Sequence, residues 1–206
     1  MKYLKSKLFV SLFATLLIFG FCMAKPAQTQ AAEVESANMA RWMSICDNMA
    51  SNIEKKHFVY SNSSTKNTYR AAAKKRRRSN CALYVSWCLQ QYGAFRSGQT
   101  IYIRRGSSHI KKNFSRWNKK KVQVIRVNKR ASRVKLKKGD VVLWNSIGHT
   151  NIYAGENSSG DRLWYDAGKS ATYSHHSGSR FKNIGKKTQG FLDSKKISYI
   201  IRIKGL

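Results

Sequence analysis

The chain has 206 residues, 42% of them apolar, and carries 40 lysines and arginines against nine acids, a formal net charge of +31. The apolar share excludes a wholly disordered basic tail, and the length leaves no room for two full-sized domains. The charge does not bear on the fold but selects a polyanionic partner: nucleic acid, an anionic membrane face or an anionic cell wall.

At the N-terminus, Lys2, Lys5 and Lys7 precede an almost continuously apolar run from Leu8 to Met23. This is the layout of a secretory signal, and the run falls short of the roughly 20 residues a spanning helix needs. Residues 1–32 are therefore expected to be a signal peptide and short spacer, cleaved after Ala24 or Ala32, meeting the membrane only before cleavage. Residues 33–206 are expected to form one domain. Cleavage after Ala24 removes three lysines and no acid, which leaves +28. Secretion argues against nucleic acid as the partner and favours an envelope polyanion, attracted by the counterion release that governs phosphate binding.

Glu33 to Lys56 reads as a helix, because Met39, Trp42, Met43, Cys46, Met49, Ala50 and Ile53 recur at spacings of three and four. Phe58 to Arg78 reads as a polar loop with a helical turn near Ala71 to Ala73. A second helix is expected over Cys81 to Tyr92, with Asn80 as N-cap and Gly93 as its stop. Strands follow at Val122–Val127, Val141–Asn145, Thr150–Ala154, Leu163–Asp166 and Ile197–Ile203. Lys138-Gly139-Asp140 signals a tight turn, Glu156 to Asp161 a hairpin loop, and Ser170 to Lys195 an irregular polar stretch. Helices first and short strands afterwards predict an α+β domain, with N-terminal helices packed on a short antiparallel sheet.

Three cysteines remain in the mature chain, Cys46, Cys81 and Cys88, so at least one is a free thiol or pairs between chains. Their spacing does not match a zinc site, and no metal or cofactor is expected. Cys81 opens a predicted helix, where the N-terminal partial charge and the basic run Lys74 to Arg78 favour a thiolate. Backbone N–H groups at the same helix start can hold a developing oxyanion. Cys88 reads as core, and a Cys46–Cys88 bridge stays open. Of His57, His109, His149, His175 and His176, only His149 stands at the start of a predicted strand, where it can be held and aimed; the others lie in polar stretches. Asp166 ends the next strand, and antiparallel pairing would bring it beside His149 to orient the imidazole.

The series NCALYVSWCLQQYG, LKKGDVVLW, GHTNIYAG and LWYDAG resembles the NlpC-type cell-wall peptidases, papain-like cysteine hydrolases of bacterial peptidoglycan related to the CHAP amidases. The resemblance covers residues 80–168 and the closing strand near 197–203. It implies a papain-like fold and a secreted thiol protease or amidase acting at the bacterial cell wall. Residue by residue, it implies Cys81 as nucleophile, His149 as general base and Asp166 as the orienting third member. Asn80 and Tyr60 would stand at the oxyanion and substrate side of the site. The family more often has Asp-Cys-Ser where this chain has Asn80-Cys81-Ala82, and often histidine where it has Asp166. The bond cut, in the stem peptide, at the sugar-to-peptide amide or in the cross-bridge, therefore stays open.

The basic segment Tyr69 to Ser79 stands either as a solvated loop or as a lining that meets stem-peptide carboxylates. The +28 surface itself would hold the protein to anionic wall polymers. Two other readings remain: a non-catalytic basic protein that binds an anionic polymer, and a thiol transferase or deamidase acting on proteins.

Overall fold

The computed structural model describes residues 27–61, 67–75, 77–101, 117, 119–145, 147–168 and 183–206. The apolar N-terminal run, His109, His175 and His176 lie outside them. The chain divides into two compact units, Met1–Ala37 and Asn38–Leu206. The packing and the site described below belong to the second. Among the described residues no helix is long and apolar enough to cross a membrane.

The first helix, α1, runs from Ala27 to Lys55. It begins six residues before the predicted start, directly after the chain's single proline, a residue well tolerated at a helix start. Ala27, Ala31 and Ala32 are strong helix formers and carry no apolar stripe, so periodicity did not mark them. Cleavage after Ala32 would fall inside this helix, and cleavage after Ala24 would fall before it.

The predicted loop over 58–78 contains three elements. Strand β1 (Val59–Tyr60) pairs in parallel with β2 (Arg78–Ser79), and helix α2 (Tyr69–Lys75) lies between them in sequence. Two-residue strands have no alternation to read; they exist because Tyr60 finds Ser79 across the sheet. Helix α3 spans Cys81–Tyr92, as its signals predict. Gly93 adopts φ +86° and its N–H caps the carbonyls of Leu89 and Gln90.

The remaining strands form one antiparallel sheet in the order β3-β8-β4-β5-β6-β7. They are β3 (Val122–Arg130), β4 (Val141–Trp144), β5 (Thr150–Glu156), β6 (Arg162–Gly168), β7 (Asn183–Thr188) and β8 (Lys196–Ile203). The closing strand β8 inserts between β3 and β4, so the end of the chain becomes central to the sheet. The stretch read as irregular, Ser170 to Lys195, contains β7 and a 3₁₀ turn at Gly190–Ser194. β7 is an edge strand with Lys186, Lys187 and Thr188 exposed. Backbone pairing with β6 makes it a strand, and no apolar alternation announces it.

β4 is buried along its whole length because the sheet has a core on each face. Val141 and Leu143 join the helix-side core with Trp42, Trp87, Leu89 and Tyr165. Val142 and Trp144 join Tyr153, Trp164, Leu192 and Ile197 on the other face. This explains the uninterrupted Val-Val-Leu-Trp run. All five tryptophans are buried and serve as core.

The turn before β4 ties these layers together. Gly139 sits at φ +91°, and a Cβ there would come within 3.0 Å of Leu206 and 3.2 Å of Trp42. Glycine is therefore required by both conformation and space. The neighbouring Asp140 is buried and accepts 2.7 Å hydrogen bonds from Nε and a terminal nitrogen of Arg202, and one of 2.8 Å from the Lys137 N–H. The Gly-Asp signature of this chain is thus a structural joint between β4 and β8.

Candidate active site

Helix α3 begins at Cys81 because Asn80 stops the preceding strand and caps it. Asn80 is extended (φ −150°), and its Oδ1 accepts from the Leu83 N–H at 3.0 Å. Its Nδ2 donates to the Ser61 carbonyl at 3.2 Å. The side chain of Asn80 is committed at both ends, so it fixes the turn that opens on Cys81 instead of reaching outward. Among the described residues no acceptor meets the N–H groups of Cys81 and Ala82, the donors that a helix start leaves free. Tyr60 is brought to the same corner by the β1–β2 ladder, which ends one residue before Asn80, and it is buried there.

His149 precedes β5, and Asp166 lies near the end of β6. The antiparallel register sets Ile152 opposite Tyr165. Three residues back along β5 and one forward along β6, His149 Nε2 meets Asp166 Oδ1 at 2.7 Å. The imidazole also interacts electrostatically with the Cys81 side chain. Helix α3 packs on β5 and β6, which carries its first residue to this point. The structure therefore joins Cys81, His149 and Asp166, which are separated by 68 and 17 residues in sequence.

All three are enclosed: Cys81 is 3% exposed, His149 0% and Asp166 2%. Burial alone would favour a neutral imidazole. The adjacent Asp166 charge, then Cys81, outweigh it, and the pKa of His149 rises from 6.5 to about 10. At neutral pH the imidazole is a cation between a carboxylate and a thiol, the charge arrangement that stabilises a thiolate.

Asp166 has further partners that sequence reasoning did not find. Its Oδ1 accepts from the Ala167 N–H at 2.7 Å, and its Oδ2 accepts from Gln189 Nε2 at 2.7 Å. Gln189 is buried between β7 and the following 3₁₀ turn. These bonds fix the carboxylate with one oxygen toward His149. No local signal marks Gln189, because it reaches Asp166 only through the β6–β7 pairing of an edge strand.

Cys46 and Cys88 are free and buried, and they interact without a disulfide between them. Burial, and then the neighbouring Cys88, push the Cys46 thiol well above its usual range. His57 stands exposed in the turn after α1. Lys74, Lys75 and Arg77 of the basic segment are exposed beside α2. The described residues contain no cluster of histidine, cysteine and acid able to hold a metal.

Compared with family models, curated proteins and solved structures, the chain matches none.

Proposed function

We propose that this protein is a papain-like cysteine hydrolase, secreted to the bacterial cell wall, that cleaves an amide bond of peptidoglycan in the stem peptide or cross-bridge. The observation that carries the reading is His149, held between the side chain of Cys81 and the carboxylate of Asp166. A thiol at a helix start, a histidine at a strand start and an acid on the next antiparallel strand form a catalytic layout that a merely packed cysteine does not need.

In this mechanism Cys81 Sγ, as thiolate, attacks the amide carbonyl carbon and the carbonyl oxygen takes up the electron pair. The N–H groups of Cys81 and Ala82 receive that oxyanion. The C–N bond then breaks as His149 delivers its proton to the leaving amine, which yields a thioester and a neutral imidazole. Water adds to the thioester with loss of a proton to His149, and the C–S bond breaks to release the acid and restore the ion pair. Asp166 keeps one imidazole tautomer and orientation through both steps. The enclosure of Cys81 favours a slender, extended substrate such as a stem peptide over the surface of a folded protein.

Digestion of purified peptidoglycan by the mature chain, with Cys81→Ala beside it and products read by mass spectrometry, tests the reading. New amine and carboxylate termini from the wild type alone support it, and their masses name the bond. Identical inert digests from both proteins, while intact protein substrates are deamidated or cross-linked, would shift the triad to the transferase reading.

A further inference from the structure

An open groove of about 520 Å³ lies at the β3–β8 side of the sheet, lined by Asn128, Lys129, Arg130, Arg133 and Lys196. Four of these five side chains are cationic, all are exposed, and no carboxylate lines the groove. A bulge in β3 between Arg126 and Lys129, with Asn128 at φ +52°, turns the strand as it enters the groove. Arg133 arrives from the 3₁₀ turn Ala131–Arg133, which is anchored by the Ala131 N–H on the Lys195 carbonyl at 2.9 Å.

These charges are not used to hold the fold. Among the described residues no carboxylate pairs with any of the four cations, whereas Arg202 and Arg162 are paired with Asp140 and Asp193. A second groove, lined by Glu156, Asp161, Arg162 and Asp193, gathers three of the chain's nine acids. The surface thus separates an unneutralised basic groove from a mixed, acid-bearing one. Four uncompensated cations together repel one another, and a polyanion relieves that repulsion.

One lining residue of the groove, Lys196, can be placed relative to His149 along the sheet. The Asn145 N–H donates to the Lys196 carbonyl at 3.0 Å, and the Trp144 N–H donates to the His149 carbonyl at 3.1 Å. Lys196 and His149 therefore stand at the same end of the sheet, with β4 between them, about 10 Å apart at strand spacings of roughly 4.8 Å.

We propose that this groove binds the phosphodiester backbone of an anionic wall polymer. The identity of the polymer rests on the wall-hydrolase reading, and the polyanion chemistry rests on the groove. A repeating phosphodiester meets successive Lys and Arg side chains without needing a defined sequence, and secretion removes nucleic acid from the usual encounter. Two hydrolytic proteins of equal charge would then differ in wall retention according to whether the cations are gathered here.

The test uses the full mature chain, an unsubstituted poly(glycerol phosphate), a single-stranded oligonucleotide of equal charge, and a soluble stem-peptide fragment. One variant combines Lys129→Gln, Arg130→Gln, Arg133→Gln and Lys196→Gln. A control variant removes four exposed lysines elsewhere, with Lys55→Gln, Lys74→Gln, Lys186→Gln and Lys204→Gln. The groove variant is expected to lose poly(glycerol phosphate) affinity about a hundredfold, with the slope of log affinity against log salt falling by roughly 3. The control is expected to lose only a few-fold. Equal losses in both variants would overturn the groove and leave only diffuse surface charge. Tenfold tighter binding of the oligonucleotide than of the polymer would overturn the wall-polymer assignment. Stem-peptide cleavage separates the two readings. If the wild type cleaves the fragment while the groove variant binds polymer normally, the groove proposal fails alone. If the wild type binds polymer through the groove and cleaves nothing, the hydrolase reading fails instead, and with it the argument for a wall polymer over other phosphodiesters.

Discussion

Cys81 and Cys88 lie on the same helix, two turns apart, and both are buried. Cys81 opens the helix and meets a histidine that carries a charge. Cys88 lies in the helix-side core against Cys46 and Tyr84. Only Cys81 stands at a helix terminus beside a cationic imidazole. The two thiols thus differ in their charged neighbours and not in their burial.

The largest effect that could break this contrast is on turnover. Cys81→Ala is expected to lower kcat/KM by about 10⁴-fold or more, as removal of a nucleophile does elsewhere. Cys46→Ala and Cys88→Ala should leave kcat/KM within a few-fold and lower stability by about 1–2 kcal/mol. Peptide-substrate kinetics beside thermal unfolding separates them, and a comparable activity loss in all three variants would erase the distinction.

Asp166→Asn comes next, with an expected loss of about 10³-fold. Burial is already the largest single influence on His149; with the carboxylate gone only Cys81 opposes it, and the pKa should fall from about 10 toward or below 6.5. Titration of the imidazole by NMR in both proteins reads this directly. Gln189→Leu removes one of the bonds that fix Asp166, and a loss of about 10- to 100-fold is expected. A role in packing alone would lower the melting temperature and leave the His149 titration unchanged.

Stability should follow pH in a direction set by the same pair. His149 is raised from 6.5 to about 10, so the folded state binds the extra proton in that interval. The stabilisation is complete below about pH 6.5 and is lost as pH rises through about 10. Denaturant midpoints of the wild type should decline across this window, and those of His149→Gln should decline less. The smallest effect belongs to the cap: Asn80→Ala should cost about 1 kcal/mol by orphaning the Leu83 N–H. A modest fall in turnover should accompany it as the nucleophile turn loosens.

Much of this site is legible in the residues. Asn80, Cys81 and Gly93 mark a helix by capping chemistry that operates within one turn, so α3 needs no tertiary information to be located. The apolar run from Val141 to Trp144, the hairpin residues after Glu156 and the positions of His149 and Asp166 likewise follow from local patterns. The parallel β1–β2 ladder, the edge strand β7 and the placement of β8 between β3 and β4 depend on partners far away in sequence. Local periodicity holds no record of such partners.

What the sequence determined by itself was the α+β composition, the helix that Cys81 opens, the core strands and the basic excess. Each rests on interactions within a few residues or on a count. The tertiary structure alone decided that Cys46 packs near Cys88 while Cys81 stands by His149, that Gln189 holds Asp166, and that four cations converge in one groove at the β3–β8 side of the sheet. Hydrogen bonds and charges act over a few ångströms of space, and only the folded sheet brings distant residues within that range.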